Sequence, residues 1–182
     1  MRFLLVIFAA ALAVAAKPAE KTILIPQGET ASGRCVGVHD GDSMTVLIET
    51  PDGRRQAKIR LDGIDAPELG QAYSKKSKEA LSALVFDKPC DVESLGGDKY
   101  GRTIGRVSVD GKDVGAAMLD AGMAWHFEKY DDRESMAACQ KAAQNNKAGL
   151  WTDPEPIPPW EWRKMPKTER QRRGQATPAG AR

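Results

Sequence analysis

Residues Ile59 to Glu68 read IRLDGIDAPE. Ala57, Ile59 and Leu61 alternate with Gln56, Lys58 and Arg60, the period of two that marks a strand with one face in a core. Asp62-Gly63 then breaks the strand into a loop that carries Asp65 and Glu68. By this alternation Arg60 points away from the core. An arginine and two acids crowded at a strand end suit a site in which carboxylates bind a cation and a guanidinium forks onto phosphate oxygens. Taken singly, such a stretch is more often a solvated turn, so its partners along the chain have to decide.

Upstream, Val36 and Val38 alternate with Cys35, Gly37 and His39 in a first strand. The turn Asp40–Ser43 (DGDS) leads into a second strand whose core face is Met44, Val46 and Ile48. Pro51-Asp52-Gly53 turns the chain into the strand that ends in IRLDGIDAPE. Downstream, Ser74–Phe86 shows Ser77, Leu81, Leu84 and Val85 at helical spacing, Cys90–Ser94 and Thr103–Val109 read as strands, and Val114–Ala121 reads as a short helix. A last helix is expected from about Asp131, with Glu134 completing a capping box, to Gly149. Five strands with a helix between the third and fourth is the order of an OB-fold barrel, so the expected class is β-rich α+β, a five-stranded barrel with three helices.

The 182 residues allow one domain with tails, and 41% hydrophobic content is enough for an ordinary core. Arg2 followed by an apolar run from Phe3 to Ala16 reads as a signal peptide of residues 1–15, too short to span a bilayer comfortably. The mature chain is therefore expected to be secreted or periplasmic, soluble, free of the membrane once the signal is removed, and monomeric. Residues 16–32 read as a polar linker, 33–152 as the domain, 153–166 as a Pro/Trp-rich extension packed by its tryptophans, and 167–182 as a basic, disordered tail. The net charge of +2 divides unevenly: from Glu161 on there are seven basic residues against two acids, whereas Ala16 to Trp160 carries 19 basic and 23 acidic residues. Attraction to a polyanion must then come from local basic clusters, a bound cation or the tail.

Cys35, Cys90 and Cys139 have no spacing that suggests zinc or a redox pair. Cys139 shares a helical stripe with Met136 and Ala143 and reads as a buried thiol, while pairing of Cys35 with Cys90 stays open. His39 and His126 lack a partner at metal or triad spacing and read as structural or solvated. DGDS is no EF-hand loop, because Met44 stands where a ligand is needed. In an OB-fold, however, the start of the second strand and the end of the third can lie close together, so Asp42 and Asp65 are candidates to share one hard cation.

The motifs VHDGDSMTV, IRLDGIDAPE, GGDKYGRTIGRV, GMAW ahead of Tyr130, and AGLW cover Gly33 to Trp151 in a single order. In these the chain resembles the staphylococcal nuclease (thermonuclease) family, whose fold is the OB-type barrel and whose activity is calcium-dependent cleavage of DNA and RNA phosphodiesters. The resemblance implies Asp42 and Asp65 as Ca2+ ligands with the carbonyl of Ala66, and Glu68 as the residue that positions or deprotonates water. It also implies Arg60 and Arg102 as the phosphate-gripping arginines, Lys99 and Tyr100 as contacts to a neighbouring phosphate, and Tyr130 as an aromatic near the base. Ser43 and Ala66 replace threonines of that pattern, and Glu128 stands where a tyrosine would lie near the nucleotide. A catalytically silent OB-fold that binds nucleic acid is the alternative, and a phosphodiesterase for a small substrate is a third reading.

Overall fold

The structure is a computed structural model that describes residues 22–176. The expected signal peptide, residues 16–21 of the expected linker, and the last six residues lie outside the described residues. In chain order the elements are β1 (Thr22–Ile23), β2 (Thr30–Val38), β3 (Ser43–Thr50), β4 (Gly53–Leu61), β5 (Ile64–Asp65), α1 (Ser74–Val85), β6 (Pro89–Gly97), β7 (Thr103–Val109) and β8 (Lys112–Asp113). Then follow α2 (Val114–Asp120), β9 (Trp125–His126), α3 (Glu134–Asn145), a 3-10 turn (Gly149–Thr152), α4 (Pro159–Lys164) and α5 (Lys167–Ala176).

Strands β4, β3, β2, β6 and β7 pair antiparallel in that order, and β4 pairs β7 in parallel, which closes a five-stranded mixed barrel of the expected OB type. Closure is what fills the interior: Met44, Val46, Ala57, Ile59, Val92 and Val107 are almost fully buried inside it. Leu81 and Val85 of α1 and Met118 and Leu119 of α2 join the same core. Burying each such side chain contributes about 1.5–3 kcal/mol.

The first strand departs from simple alternation. A bulge between Cys35 and Gly37 turns Cys35 into the core and leaves Val36 exposed, the reverse of what period two from Val36 and Val38 implies. The residues expected to be linker belong to the barrel: Thr22–Ile23 pairs with Gln56–Ala57, Ile25 is buried, and β2 already begins at Thr30. Polar composition hid this, because a short edge strand needs only one inward residue in two. The basic end also differs from expectation: Lys167–Ala176 is helical, with Glu169 bridged to Arg172 and Arg173 one turn on.

Helix α3 starts at Glu134 rather than Asp131 and has no capping box, since no side chain caps it. Asp131 is buried and accepts from Arg133 Nε at 2.7 Å and His126 Nε2 at 3.1 Å instead. Cys35 and Cys90 are buried free thiols, and Cys139 is half-buried rather than buried. Burial pushes the Cys90 thiol up to about 12, with Cys35 and Asp91 adding to it. Among the described residues no helix is long and apolar enough to cross a membrane.

Candidate active site

The site forms where the DGDS turn meets the loop after β4. Asp42 N–H donates to Asp40 Oδ1 at 3.0 Å, which sets the turn, and Leu61 N–H donates to the Asp42 carbonyl at 2.8 Å, which ties it to the end of β4. Gly41 is required here: a Cβ would collide with the Ser77 hydroxyl of α1 and with Ala66 Cβ. The turn can therefore lie flat between helix and loop. Asp42 Oδ2 then accepts from Ala66 N–H at 2.7 Å, and its Oδ1 accepts from the Ser43 hydroxyl at 3.0 Å.

Arg60 pairs across the strands with Ser43, and its guanidinium lies over the loop rather than out in solvent, with 17% of the side chain exposed. Nη1 donates to the carbonyls of Leu61 and Ile64, both at 2.8 Å. Nε lies 3.2 Å from Asp42 Oδ1, and Nη2 donates to Asp65 Oδ1 at 3.0 Å. One arginine thus joins the two acids that sequence had set 23 positions apart. Burial pushes the Asp42 carboxyl up to about 7; Asp40 and Asp65 add to the shift, whereas Arg60 and the Ala66 amide oppose it. Burial therefore outweighs the arginine beside Asp42.

Arg102 reaches the same turn from the loop before β7. Its Nε donates to Asp98 Oδ2 at 2.8 Å and its Nη1 to Ser43 Oγ at 3.3 Å. Asp98 Oδ1 shapes that loop by accepting from the amides of Tyr100 and Arg102. Lys99 and Arg102 both lie over the exposed Tyr100 ring. Glu68 sits beyond Pro67, its amide donating to Gln71 Oε1 at 2.9 Å. Asp42, Arg60, Asp65, Ala66 and Arg102 therefore form one chain of contacts, with Lys99 and Tyr100 at its rim. Tyr130 stands apart, exposed, its ring 4.8 Å from Phe127.

A residue that sequence reasoning missed completes the chain. Arg163 of α4 donates from Nη2 to Asp65 Oδ2 at 2.8 Å, and from Nη1 to Asp65 Oδ1 at 3.1 Å and Glu68 Oε1 at 2.6 Å. Its helix is held by Trp160, stacked on Phe127 at 5.2 Å and edge-on to Trp125, and by the buried Trp162. Gln71 Nε2 also donates to the carbonyl of Ile157. The available signal was Trp160 and Arg163 at i, i+3, which places an anchor and a cation on one helical face.

The loop is braced from behind as well. Arg133 is within 3.4 Å of Asp62, 3.3 Å of Asp113 and 2.7 Å of Asp131, and Phe127 N–H donates to the Gly63 carbonyl at 2.8 Å. Gly63, at φ 74°, sits so close to Asp131 that a Cβ would clash with it.

An OB-type barrel that gathers arginines and acids at the mouth formed by its second and third strands defines the class of oligonucleotide- and phosphate-handling barrels. Residues 58–153 match the family model described as staphylococcal nuclease homologue, and the chain belongs to that family. An uncharacterized endonuclease of Escherichia coli is 42% identical over 132 residues, covering 72% of this chain and 84% of that protein. A micrococcal nuclease of Shigella flexneri is 32% identical over 169 residues, or 87% of this chain and 95% of that one. A second uncharacterized endonuclease, from Haemophilus influenzae, is 38% identical over 134 residues, 74% of each chain.

Proposed function

We propose that the protein is an exported, metal-dependent nuclease that hydrolyses phosphodiester bonds of DNA and RNA with little sequence preference. The observation that carries this is the single contact chain from Arg102 through Ser43, Asp42 and Arg60 to Asp65, with Glu68 on the same loop. A barrel that only bound nucleic acid would have no use for a carboxylate base beside paired arginines.

The donor set suits a hard cation. Asp42 and Asp65 supply two buried carboxylates joined through Arg60, and among the described residues no three acidic, histidine or cysteine side chains converge as a ready-made metal cage. The remaining positions fall to a backbone oxygen such as the Ala66 carbonyl and to water, as expected for Ca2+ or Mg2+; the resemblance favours Ca2+. When bound, such an ion supplies Lewis-acid stabilisation of charge on the phosphoryl oxygens.

The chain's own residues do the rest. Arg60 and Arg102, which meet the DGDS turn at Asp42 and Ser43, present guanidinium donors to the non-bridging oxygens and stabilise them as charge grows. Glu68 orients a water and accepts its proton. Lys99 and Tyr100, at the exposed rim, meet the adjoining phosphate, and Tyr130 meets the base. The test is digestion of plasmid DNA and of RNA by the mature protein with Ca2+, with Mg2+ and with chelator. Cleavage in calcium that chelator abolishes supports the reading; intact nucleic acid in both metals refutes it and leaves the binding module.

A further inference from the structure

Two arginines bear on Asp65, and they are not equivalent. Arg60 is anchored independently by the carbonyls of Leu61 and Ile64, so it stays in place whatever Asp65 does. Among the described residues Arg163 has no such anchor: its guanidinium contacts are to Asp65 and Glu68, and 41% of its side chain is exposed while Asp65 is 2% exposed. Both Asp65 oxygens are engaged in this arrangement. A divalent ion ligated by Asp65 needs one of them, and the exposed guanidinium of Arg163 can yield it by turning into water, because the ion takes over its charge on the buried acid.

We propose that Arg163 is a tethered cation that competes with the divalent metal, holding Asp65 and Glu68 until the ion displaces it, and so sets the metal concentration at which the site fills. The inference rests on the assignment of Asp65 as a metal ligand. Tethering gives the competitor its strength: Trp160 stacked on Phe127 and the buried Trp162 keep α4 over the loop, so the guanidinium acts at a high effective concentration. Bidentate geometry on Asp65 adds to it. Displacement also has a chemical consequence. The Arg163 Nη1 that contacts Asp65 also holds Glu68, so an ion that evicts the guanidinium frees the base for water in the same event.

Calorimetric titration of Ca2+ into the full chain tests this without reference to turnover. Arg163→Gln is expected to bind Ca2+ about fivefold more tightly than the wild type, and Arg163→Lys, which keeps the charge and loses the fork, to fall between. Trp160→Ala, which loosens the arm and leaves Arg163 intact, is expected to shift affinity in the same direction. It keeps the question open to refutation should the Gln variant fail to fold. Equal affinities in the wild type and the folded Arg163 variants overturn the competitor role and leave the metal site standing. Weaker binding in Arg163→Gln overturns it in favour of a supporting role. Absence of Ca2+ binding in every protein refutes the metal assignment itself, and the inference with it.

Discussion

The loop Asp62–Glu68 carries an arginine–carboxylate cluster on each side, and the two are wired in opposite senses. Behind it, one cation is the hub: Arg133 serves Asp62, Asp113 and Asp131. In front, an acid is the hub: Asp65 is served by Arg60 and Arg163. The acids do not divide as simply as the wiring does. Behind the loop, burial works against the Asp131 charge, yet the Arg133 hydrogen bond and charge hold its carboxyl below the ordinary range, whereas burial still raises Asp62. In front, burial lifts Asp42, whose one ion-pair partner among the described residues is Arg60, to about 7. A cation ringed by acids is a finished structural joint. An acid ringed by cations, one of them exposed, is a place where one positive charge can be exchanged for another.

The largest expected effect breaks the front cluster. Arg60→Lys keeps the charge and loses the fork, so turnover on plasmid DNA is expected to fall by about 10²–10³; near-normal single-turnover rates would take Arg60 out of the mechanism. At the rear, Arg133→Ala leaves Asp131 and Asp62 without their shared partner and is expected to lower stability by about 2–3 kcal/mol in a denaturant titration. The molecules that remain folded should keep cutting at close to the wild-type rate. Loss of activity without loss of stability would invert the comparison.

Gly41→Ala tests the joint between the two acids. The added methyl meets Ser77 and Ala66, so a loss of about 1–3 kcal/mol is expected, accompanied by weaker Ca2+ binding as Asp42 leaves the Ala66 amide. A stable variant with unchanged affinity would show that the flat turn is not needed. The smallest effect is in pH. Asp42 has a higher pKa folded than its value of 3.8 unfolded, so the folded state binds the extra proton, and this contribution is full below pH 3.8 and lost as pH rises through about 7. In chelator, Asp42→Asn should reduce the fall in melting temperature between pH 5 and pH 8; an unchanged fall would mean Asp42 is already ionised without metal.

Much of this was legible in the residues. Alternation at Met44, Val46 and Ile48 and at Ala57, Ile59 and Leu61 was enough for the two central strands, because a half-buried strand must repeat every two residues. Alternation failed at Val36, where a bulge takes up one residue and the pattern has no mark for it. Thr22–Ile23 was lost for a different reason: its pairing with β4 is a long-range backbone matter that polar neighbours conceal. The capping box at Asp131 failed because Arg133, two residues on, and the buried His126 hold that carboxylate instead of the helix end.

IRLDGIDAPE by itself determined that a strand ends in a tight, acid-bearing loop, since side-chain period and glycine conformation are local properties of the chain. Which charges meet there was decided by the fold. Asp42 lies 24 positions before Ala66, and Arg163 lies 98 positions after Asp65, yet each reaches its partner through a hydrogen bond that only barrel closure and the docking of two tryptophans make possible. Contact across such separations depends on burying surface far from the contact, and no local pattern records it.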